Sequence, residues 1–545
     1  MKKLFLLVAV LTLLPLGRSL AQVDTAWVRR MDFPVEGARA MRVGGSGSVY
    51  ITGNKAYYSD EYIWTARYSK DGVLLWEREW SPPGVSFGLA MALDDSEYVY
   101  VAGLSVSSSS GYVTIKYDSS GNEVWSRTYT GGTGTDRAAA VAVDPSGNVY
   151  VSGQSPGSGT GLDFATVKYD RDGNQLWASR YDGPAHGDDG MDPFWGSLHK
   201  MALDRSGNVY ITGFSKEVGP GYAFATVKYA PDGSESWARR YRYPGGDTTN
   251  QDAAYALDID PDGNVYVAGR SNGAGTDLDY AVVKYDSMGN ELWARRYNDP
   301  WNRRESAADL RVDRQGYVSV TGWSEDSLGR DDYLTIRYSP SGGEMWVRRY
   351  TGTGLGDDVG QRCALDDSGN IYVTGNSWTD NTYQYDYCTV KYSPSGDTLW
   401  STRYLFSGGM GDYPRDLFVD GAGNVYVTGE SYVSGSYDPL TIKYKQTTTG
   451  VEANSVKPSD SNRLHIQVSS PIRHSLLLKY VLPRSEVVRL ELFDALGRRV
   501  RTLFEGMAGP GWHELRKPLN LPGGVYFVRL EAGEENAVQK VVVVR

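Results

Sequence analysis

A short apolar strand that ends in glycine recurs eight times along the chain, and this repeat constrains the fold more than any other feature. One copy reads Val149-Tyr150-Val151-Ser152-Gly153. The glycines follow one another at intervals of 50–60 residues, at Gly53, Gly103, Gly153, Gly213, Gly269, Gly322, Gly375 and Gly429. A period of this length is typical of an array built from one supersecondary unit.

Each copy contains four segments of strand length. In the third copy they span residues 138–144, 149–153, 165–169 and 176–181. All are rich in β-branched or aromatic residues and too short for helices. The turns between them place glycine where a hairpin needs a positive φ. Four antiparallel strands per repeat predict one blade of a β-propeller.

The fourth segment carries a tryptophan and shows how the array closes. It follows the third segment in seven copies, but the eighth copy ends at Tyr444 without it. The same pattern stands near the N-terminus instead, around Trp27. We therefore predict that this strand completes the last blade, which removes two open sheet edges. The predicted fold is all-β, with an eight-bladed propeller over residues 24–445.

The repeat resembles the bacterial β-propeller repeat family (SBBP), whose units read roughly D-x-x-G-N-V-Y-V-T-G, and it is more distantly similar to NHL-type repeats. Residues 144–153 show the pattern, and the resemblance extends over the whole region through the other copies. It implies a propeller but no single activity, because the fold supports binding proteins and enzymes alike.

The N-terminus predicts export. Lys2 and Lys3 precede an apolar run over 4–16, and Ser19-Leu20-Ala21 forms a small-x-small cleavage site. We therefore predict a signal peptide over 1–21 and a mature chain beginning at Gln22. The alternative, a membrane anchor, is disfavoured because the run is too short to span a bilayer. We expect no transmembrane segment and a secreted or outer-membrane surface location.

Charge and cysteine content exclude several classes of protein. The formal net charge of −10 argues against binding to nucleic acid. Two cysteines in 545 residues exclude a disulfide scaffold and a cysteine-ligated zinc site. Cys363 and Cys388 lie on the first and third segments of one blade, separated by the second, so we predict two free thiols.

The C-terminus is predicted to form a separate small β-sandwich of the Ig-like type over 462–545, after a polar linker over 446–461. It resembles the C-terminal sorting domain (type A) of type IX secretion substrates in 478–483, 492–498, 522–530 and 540–545. The resemblance implies contact with the type IX secretion machinery. A Trp-Asp-Gly turn common among the relatives is absent here. The alternative is a plain sandwich without a sorting role.

One end of the predicted propeller has long, varied loops, and recognition usually lies on such loops. They span 182–195, 242–252, 298–306, 323–331 and 376–386. Their aromatic side chains could stack on a sugar or pack against a peptide. The candidate ligand-binding residues are Trp195, Trp301, Trp323 and Trp378, with Tyr383 and Tyr385 nearby.

An acidic position recurs at the start of the first segment. Six of the eight copies are acidic, and the eight read Glu36, Ser86, Asp136, Gly196, Asp252, Glu305, Asp358 and Asp412. These carboxylates could ring the channel mouth and hold a cation or a basic ligand. The alternative is structural: each carboxylate accepts backbone N–H bonds in its own loop, or pairs with a neighbouring blade's Lys or Arg.

Other chemical motifs are weak. Gly153-Gln154-Ser155-Pro156-Gly157 fits a nucleophile pattern, but no helix follows, and serine recurs at this position in other copies. The histidines lack metal-type spacing, and we predict no catalytic residue and no metal-ligating residue. The turns at Asp170 and Asp260 resemble calcium loops, although a hairpin explains them better.

The sequence therefore favours a non-enzymatic propeller that binds a glycan or protein partner through its loops. It predicts no cofactor, and the turns at Asp170 and Asp260 leave calcium open as an alternative. Two alternatives stay open. One is a secreted hydrolase, lyase or quinoprotein-like enzyme, which needs a clustered acid/base pair or a cofactor. The other is a structural component of the cell surface.

Overall fold

The computed structural model describes residues 21–31, 37–57, 60–80, 84–106, 110–132, 134–191, 199–243, 251–352, 354–379, 384–404, 411–433, 435–448, 465–468, 475–482, 485–494, 498–509, 511–518, 521–533 and 535–543. In these residues the regular structure is β-strand throughout, with no helix. The chain divides into two compact units, one of which is Ala21–Thr448. An all-β fold, as predicted, is confirmed.

Between Ala21 and Thr448 the described strands form eight antiparallel sheets, called sheets 1 to 8 in chain order. The first strand of the unit is β1 (Ala21–Arg30). Sheet 1 holds β2 (Ala38–Val43), β3 (Val49–Tyr57), β4 (Asp60–Tyr68) and β5 (Leu74–Trp80). Sheet 2 holds β6 (Val85–Leu93), β7 (Val99–Val106), β8 (Gly111–Tyr117) and β9 (Glu123–Tyr129). Sheet 3 holds β10 (Arg137–Val143), β11 (Val149–Pro156), β12 (Leu162–Tyr169) and β13 (Gln175–Tyr181).

The next two sheets differ in their first strand. In sheet 4 it is split into β14 (Asp189–Gly190) and β15 (Met201–Leu203), followed by β16 (Val209–Lys216), β17 (Tyr222–Tyr229) and β18 (Glu235–Tyr241). Sheet 5 has it intact, with β19 (Ala253–Ile259), β20 (Val265–Asn272), β21 (Leu278–Tyr285) and β22 (Glu291–Tyr297).

The last three sheets follow the same order. Sheet 6 holds β23 (Glu305–Val312), β24 (Val318–Glu325), β25 (Asp331–Tyr338) and β26 (Glu344–Tyr350). Sheet 7 holds β27 (Asp358–Leu365), β28 (Ile371–Thr379), β29 (Gln384–Tyr392) and β30 (Thr398–Tyr404). Sheet 8 holds β31 (Gly411–Val419), β32 (Val425–Val433) and β33 (Ser436–Thr448), and β1 pairs with β33 as its fourth strand.

The recurrent glycine of each second strand faces a β-bulge in the first strand. In sheet 3 the register shifts between Ala138 and Ala140, opposite Gly153. A Cβ added at Gly153 would overlap the carbonyl oxygen of Arg137. The bulge brings the two backbones too close for a side chain, which explains why the repeat ends its strand in glycine. In sheet 4 the first strand is divided at the corresponding place, because β14 ends at Gly190 and β15 begins at Met201.

The first-to-second turns follow from their aspartates. Asp260 Oδ1 accepts the N–H groups of Asp262 (3.0 Å) and Asn264 (2.9 Å), and Oδ2 accepts from Asn264 Nδ2 (2.7 Å) and the Tyr266 hydroxyl (2.9 Å). Gly263 has a φ of +79°. Both carboxylate oxygens therefore stabilise the hairpin, as sequence reasoning favoured over calcium binding.

A tryptophan on the fourth strand joins each sheet to the next. In seven of the eight sheets its indole N–H donates to a backbone carbonyl in the next sheet's third-to-fourth turn, at 3.0–3.2 Å. The glycine of that turn packs so closely on the indole ring that an added Cβ would lie 2.7–2.8 Å from a ring atom. The donor and acceptor pairs are Trp27 and Lys70, Trp76 and Ser119, Trp125 and Arg171, Trp177 and Pro231, Trp237 and Ser287, Trp293 and Pro340, and Trp346 and Pro394. Sheet 8 has no such turn, because its fourth strand is β1, and Trp400 of sheet 7 donates instead to the side-chain Oε1 of Gln446 at 3.2 Å.

The same joint connects sheet 8 to sheet 1. Trp27 lies on β1 and is 8 % exposed, and its indole N–H donates to Lys70 O at 3.1 Å. On the first strands, the buried Asp416 Oδ2 accepts the N–H of Met41 at 2.9 Å. Sheets 8 and 1 are thus in contact through both their first and fourth strands.

The second unit contains two sheets. The first has the strand order β34-β35-β38 and the second β37-β36-β39-β40. Side chains of both, including Leu478 and Leu490, form one buried apolar cluster. The strands are β34 (His465–Val468), β35 (Ser475–Leu482), β36 (Glu486–Asp494), β37 (Arg499–Ala508), β38 (Gly511–Pro518), β39 (Gly524–Ala532) and β40 (Glu535–Val543).

A membrane-crossing helix is not found within the residues that the structure describes.

Replacing Trp27 with alanine should destabilise the Ala21–Thr448 unit by about 3–5 kcal/mol, because a buried indole and its hydrogen bond to sheet 1 are both lost. Urea unfolding followed by circular dichroism measures the change. Trp301→Ala is the matched control, since Trp301 is 49 % exposed. Equal stability of the Trp27→Ala variant and the wild type would show that β1 does not close the ring of sheets.

Candidate ligand-binding face

The loop face is defined as the end of sheets 1 to 8 that carries the second-to-third loops and the loops leading to the next sheet. The opposite end carries short turns with one repeated geometry. There, Gly147 and Gly173 have φ values of +84° and +83°. On the loop face the connections differ in length, for example residues 81–84 between β5 and β6 but residues 242–252 between β18 and β19.

Each of several sheets carries a polar network at the loop face, formed by a carboxylate on strand one, serine on strand two, aspartate on strand three and arginine on strand four. In sheet 3, Arg180 donates to Asp163 Oδ2 (2.8 Å) and to Ser155 Oγ (2.5 Å), and Asp136 Oδ2 accepts the N–H of Gly131 (3.0 Å). The corresponding residues are Asp252, Ser271, Asp279 and Arg296 in sheet 5, Glu305, Ser324, Asp332 and Arg349 in sheet 6, and Asp358, Ser377, Asp386 and Arg403 in sheet 7.

The predicted acidic positions lie inside these networks. The described ones are buried, with exposures of 0–2 %: Asp136, Asp252, Glu305, Asp358 and Asp412. Asp252 accepts the N–H of Asn272 (2.7 Å), and Asp358 accepts that of Gly352 (2.6 Å). Glu36 lies outside the described residues. The contacts are those of a structural role, and binding of a cation or basic ligand there stays a prediction.

One alignment in the acidic series is wrong. Gly196, placed in the series by sequence, falls in the interruption between β14 and β15 and lies outside the described residues. Asp189 occupies the position instead, because it pairs with Ser215 as Asp358 pairs with Ser377. The series was aligned by counting back from the end of the first segment, and the ten residues between β14 and β15 shifted that alignment in sheet 4.

Serine recurs in the second strand because its hydroxyl joins two charged groups. Ser271 Oγ donates to Asp252 Oδ2 (3.1 Å) and accepts from Arg296 Nη1 (2.8 Å). The Ser271 hydroxyl therefore bonds two side chains and holds the first and fourth strands of sheet 5 together at the loop face. Ser155, in the G-x-S-x-G motif, is likewise bonded to Arg180, and the chain continues as strand β12.

Glu305 has a strongly perturbed carboxyl group on the loop face. Burial and, to a smaller extent, the nearby Asp299 and Asp279 carboxylates together raise its pKa to about 8. Its side chain is 0 % exposed. Near neutral pH it therefore retains a proton, but a substrate cannot reach it in this conformation.

The predicted tryptophans occupy different environments. Trp301 is 49 % exposed, and the guanidinium carbon of Arg349 lies 5.5 Å from its ring centroid. Trp323 and Trp378 are half-buried at the ends of β24 and β28. Trp195 and Tyr383 lie outside the described residues.

Five aromatic rings form a continuous series across sheets 7 and 8, called here the aromatic row. Successive ring centroids are 5.0, 5.7, 6.3 and 4.7 Å apart. Four rings are half-buried, and the fifth, Tyr437, is 39 % exposed. Each stands at the loop-face end of its strand. In order, the row comprises Trp378, Tyr385, Tyr413, Tyr437 and Tyr432.

Sequence reasoning found Trp378 and Tyr385 but missed the other three members. Tyr432 and Tyr437 flank the second-to-third loop of sheet 8 as Trp378 and Tyr385 flank that of sheet 7. Aligning the two copies would have revealed the pair. Tyr413 has no such signal, because it reaches the row only through the packing of β31 beside β29.

A cavity of about 590 Å³ opens beside sheets 4 and 5. Its lining includes Arg240, Arg242, Tyr243 and Arg296, with Asp279 among the acidic groups. The Arg296 guanidinium lies over the Tyr243 ring, 4.2 Å from its centroid. The volume lies within the range of small-ligand sites.

The remaining reactive residues have structural contacts. Cys363 and Cys388 are free and buried thiols on β27 and β29, and β28 pairs with both strands, which confirms the predicted absence of a bridge between them. His199 Nδ1 lies 3.1 Å from Asp309 Oδ1.

The family described as beta-propeller repeat matches residues 124–159, 244–275 and 346–381. Curated proteins provide no match. Among solved structures, Sqt1 from Chaetomium thermophilum has a TM-score of 0.49 at 10 % identity, covering 77 % of this chain and 99 % of that one. The β-propeller domain of the Trilobed protease from Pyrococcus furiosus has a TM-score of 0.38 at 8 % identity, covering the same 77 % and 99 %. Polysaccharide lyase Uly1 has a TM-score of 0.40 at 10 % identity, covering 67 % and 91 %. The chain thus carries β-propeller repeats.

The Glu305→Gln variant should become progressively more stable relative to the wild type as pH rises from 5 to 8. The folded-state pKa of about 8 lies above the ordinary 4.5, so the folded carboxyl keeps a proton that the unfolded chain releases in this window. Rising pH therefore lowers the stability of the wild type but not that of the Glu305→Gln variant, because the glutamine amide does not titrate. Thermal melts at several pH values measure the difference in Tm. The exposed Glu291→Gln control should show no trend, and a pH-independent difference for Glu305→Gln would contradict the assignment.

Proposed function

We propose that this protein is a secreted or surface-displayed binding protein whose loop face recognises a glycan. Sheets 1 to 8 act as the blades of an eight-bladed propeller closed by β1, and the C-terminal unit is an Ig-like β-sandwich. The propeller supplies a rigid frame, and the varied loops supply the contacts. A protein partner is the alternative ligand for the same face.

The aromatic row is the observation that carries the proposal. Aromatic rings offer large, flat, apolar surfaces with a polar edge, and such surfaces suit sugar rings, which present C–H groups on a face and hydroxyls around it. A soluble domain usually buries its aromatic rings, whereas these stay partly accessible beside the varied loops of sheets 7 and 8. The cavity lined by Arg240, Arg242 and Arg296 offers a second, polar recess on the same unit.

A binding experiment with the mature chain and a glycan array tests the proposal. Trp378→Ala and Tyr437→Ala should each weaken binding by about 5- to 150-fold, because a stacked ring is worth about 1–3 kcal/mol. Met288→Ala is the control, since Met288 is 71 % exposed in a turn at the opposite end. Binding that is equally weakened by the control, or unaffected by both row variants, would exclude the row as the site. Absence of glycan binding would favour a protein partner.

Export rests on the signal-peptide pattern over 1–21 and on the resemblance of 462–545 to type IX sorting domains. The two sheets of the C-terminal unit, with one common apolar core, are compatible with a sandwich of that kind. Expression in a host with this secretion system should yield a cell-surface or released chain beginning at Gln22, as found by N-terminal sequencing. Deleting residues 462–545 should retain the protein in the periplasm, and unchanged release would refute the sorting role.

A secreted glycan hydrolase is the second candidate. Glu305 favours it, because a carboxyl group with a pKa of about 8 has the protonation of a general acid, and a second carboxyl group, that of Asp299, lies nearby. Both groups lie within seven residues of Trp301, but each is at most 1 % exposed. Hydrolysis of polysaccharides by the wild type, abolished by Glu305→Gln without loss of binding, would establish this activity in place of binding alone.

A further inference from the structure

The first strands of sheets 1 to 8 form an inner ring in the Ala21–Thr448 unit. Each contacts the first strand of the next sheet, and β31 of sheet 8 contacts β2 of sheet 1. His199 precedes β15 of sheet 4, and its Nδ1 lies 3.1 Å from Asp309 Oδ1 of sheet 6. Sheets 4 and 6 are separated by sheet 5, so these two side chains meet inside the inner ring.

One register position of the inner ring is charged on one side of the ring only. It is the residue that follows the β-bulge of the first strand. In sheets 6, 7 and 8 it is Asp309, Arg362 and Asp416. In sheets 1, 2, 3 and 5 it is alanine: Ala40, Ala90, Ala140 and Ala256. The charged side chains therefore share the interior with residues that occupy little of it.

The two aspartates of this position each have a cation of their own. Asp309 Oδ1 lies 3.3 Å from Arg311 Nη1, and Asp416 Oδ2 lies 3.1 Å from Arg42 Nη1. Each aspartate also accepts a backbone N–H from the first strand of the next sheet, at 3.0 and 2.9 Å. Both carboxylates are thus compensated without Arg362.

Arg362 has no ion pair among the described residues. It is 6 % exposed, and its guanidinium makes one hydrogen bond there, from Nη1 to the carbonyl oxygen of the preceding Gln361 at 2.9 Å. Its Nε is buried without a hydrogen-bond partner. Burial lowers the pKa of Arg362, and the more distant Asp309 and Asp416 carboxylates oppose this only in part. A buried cation without an anion beside it is costly, so its position indicates a missing negative group.

The unused edge of the Arg362 guanidinium, formed by Nε and Nη2, is one that binds a carboxylate elsewhere in the protein. Nε and Nη2 of Arg30 both donate to Asp438 Oδ2. Arg337 is the other deeply buried arginine of the described residues, at 3 % exposure, and its Nε also lacks a partner. Its Nη2, however, donates to Asp313 Oδ2 at 2.8 Å. Arg362 thus differs from Arg337 in having no carboxylate at any nitrogen.

We propose that Arg362 binds an oxyanion inside the inner ring through Nε and Nη2. The planar edge of a guanidinium matches two oxygens of a carboxylate, a sulfate or a phosphate with two parallel hydrogen bonds. The oxyanion supplies the negative charge that sheet 7 lacks at this position. A free inorganic oxyanion and the carboxylate of an acidic sugar share this chemistry. The site is separate from the aromatic row and does not depend on glycan binding there.

Calorimetric titration of the mature chain with sodium sulfate and with sodium glucuronate, in chloride buffer of constant ionic strength, tests the site. One oxyanion should bind per chain. Arg362→Lys should weaken its binding by about tenfold or more, because lysine keeps the charge but loses the two parallel donors. Arg314→Lys is the matched control and should bind as the wild type does, since the Arg314 side chain is 86 % exposed.

The two titrants also distinguish the source of the oxyanion. Tighter binding of sulfate would assign the site to a free inorganic oxyanion, and tighter binding of glucuronate would assign it to an acidic sugar. Both results support the proposal. Glucose, which has no carboxylate, should not bind at this site, and an equal affinity for glucose and glucuronate would contradict it.

Thermal melts give a second measurement. Low concentrations of the bound oxyanion should raise the Tm of the wild type and of Arg314→Lys, with saturation, but not that of Arg362→Lys. The variant is needed because concentrated sulfate stabilises proteins in general. If Arg362→Lys does not fold, Arg362→Met, which removes the buried charge, should fold and show no response. Absence of saturable binding of both oxyanions by the wild type, or unchanged affinity in the Arg362 variant, would overturn the proposal.

Discussion

The bond between a tryptophan indole and the backbone of the next sheet is the interaction on which the Ala21–Thr448 unit depends. It joins like positions in successive sheets, from Trp76 and Ser119 onward, and the ring is covered by the glycine of the accepting turn. Because each joint uses one sheet's outer strand and the next sheet's turn, the array is complete only if an outer strand stands before sheet 1. Strand β1 supplies it, although it precedes the other strands of its own sheet by about 400 residues.

These joints lie towards the end of the short turns, and this explains why the two ends of the sheets differ. A turn that must present a carbonyl to an indole and a glycine to its face cannot vary in length or shape. The loops at the other end have no such requirement on their length or shape. Their anchorage comes from within a sheet, through networks such as Ser271 with Asp252 and Arg296, so each loop can change without disturbing its neighbours. Recognition can therefore develop on the loop face while the frame stays constant.

Much of the frame could be predicted from sequence because its causes are local. Strand length, turn glycines and the tryptophan period are all read within one repeat, and even the displaced strand around Trp27 is found by counting. Contacts between strands were harder to predict, both within a repeat and between repeats. The bulge opposite Gly153 leaves only the glycine as its mark, and the ten residues between β14 and β15 moved the acidic position from Gly196 to Asp189. Only two of the five rings of the aromatic row were found. Aligning two repeats would have added Tyr432 and Tyr437, whereas Tyr413 joins the row through packing alone.

The polar networks show how a repeated structural device can acquire a chemical role. Where arginine compensates the carboxylates, as Arg349 does at Asp299 and Asp332, the cluster holds its loop by ion pairing. Where the arginine turns to another partner, as Arg240 does to Glu217, the same carboxylates are left with excess negative charge in a place of low solvent access. An arginine nearby does not balance every carboxylate of such a cluster, because Glu305 lies beside Asp299, which Arg349 contacts, and its pKa is still raised to about 8.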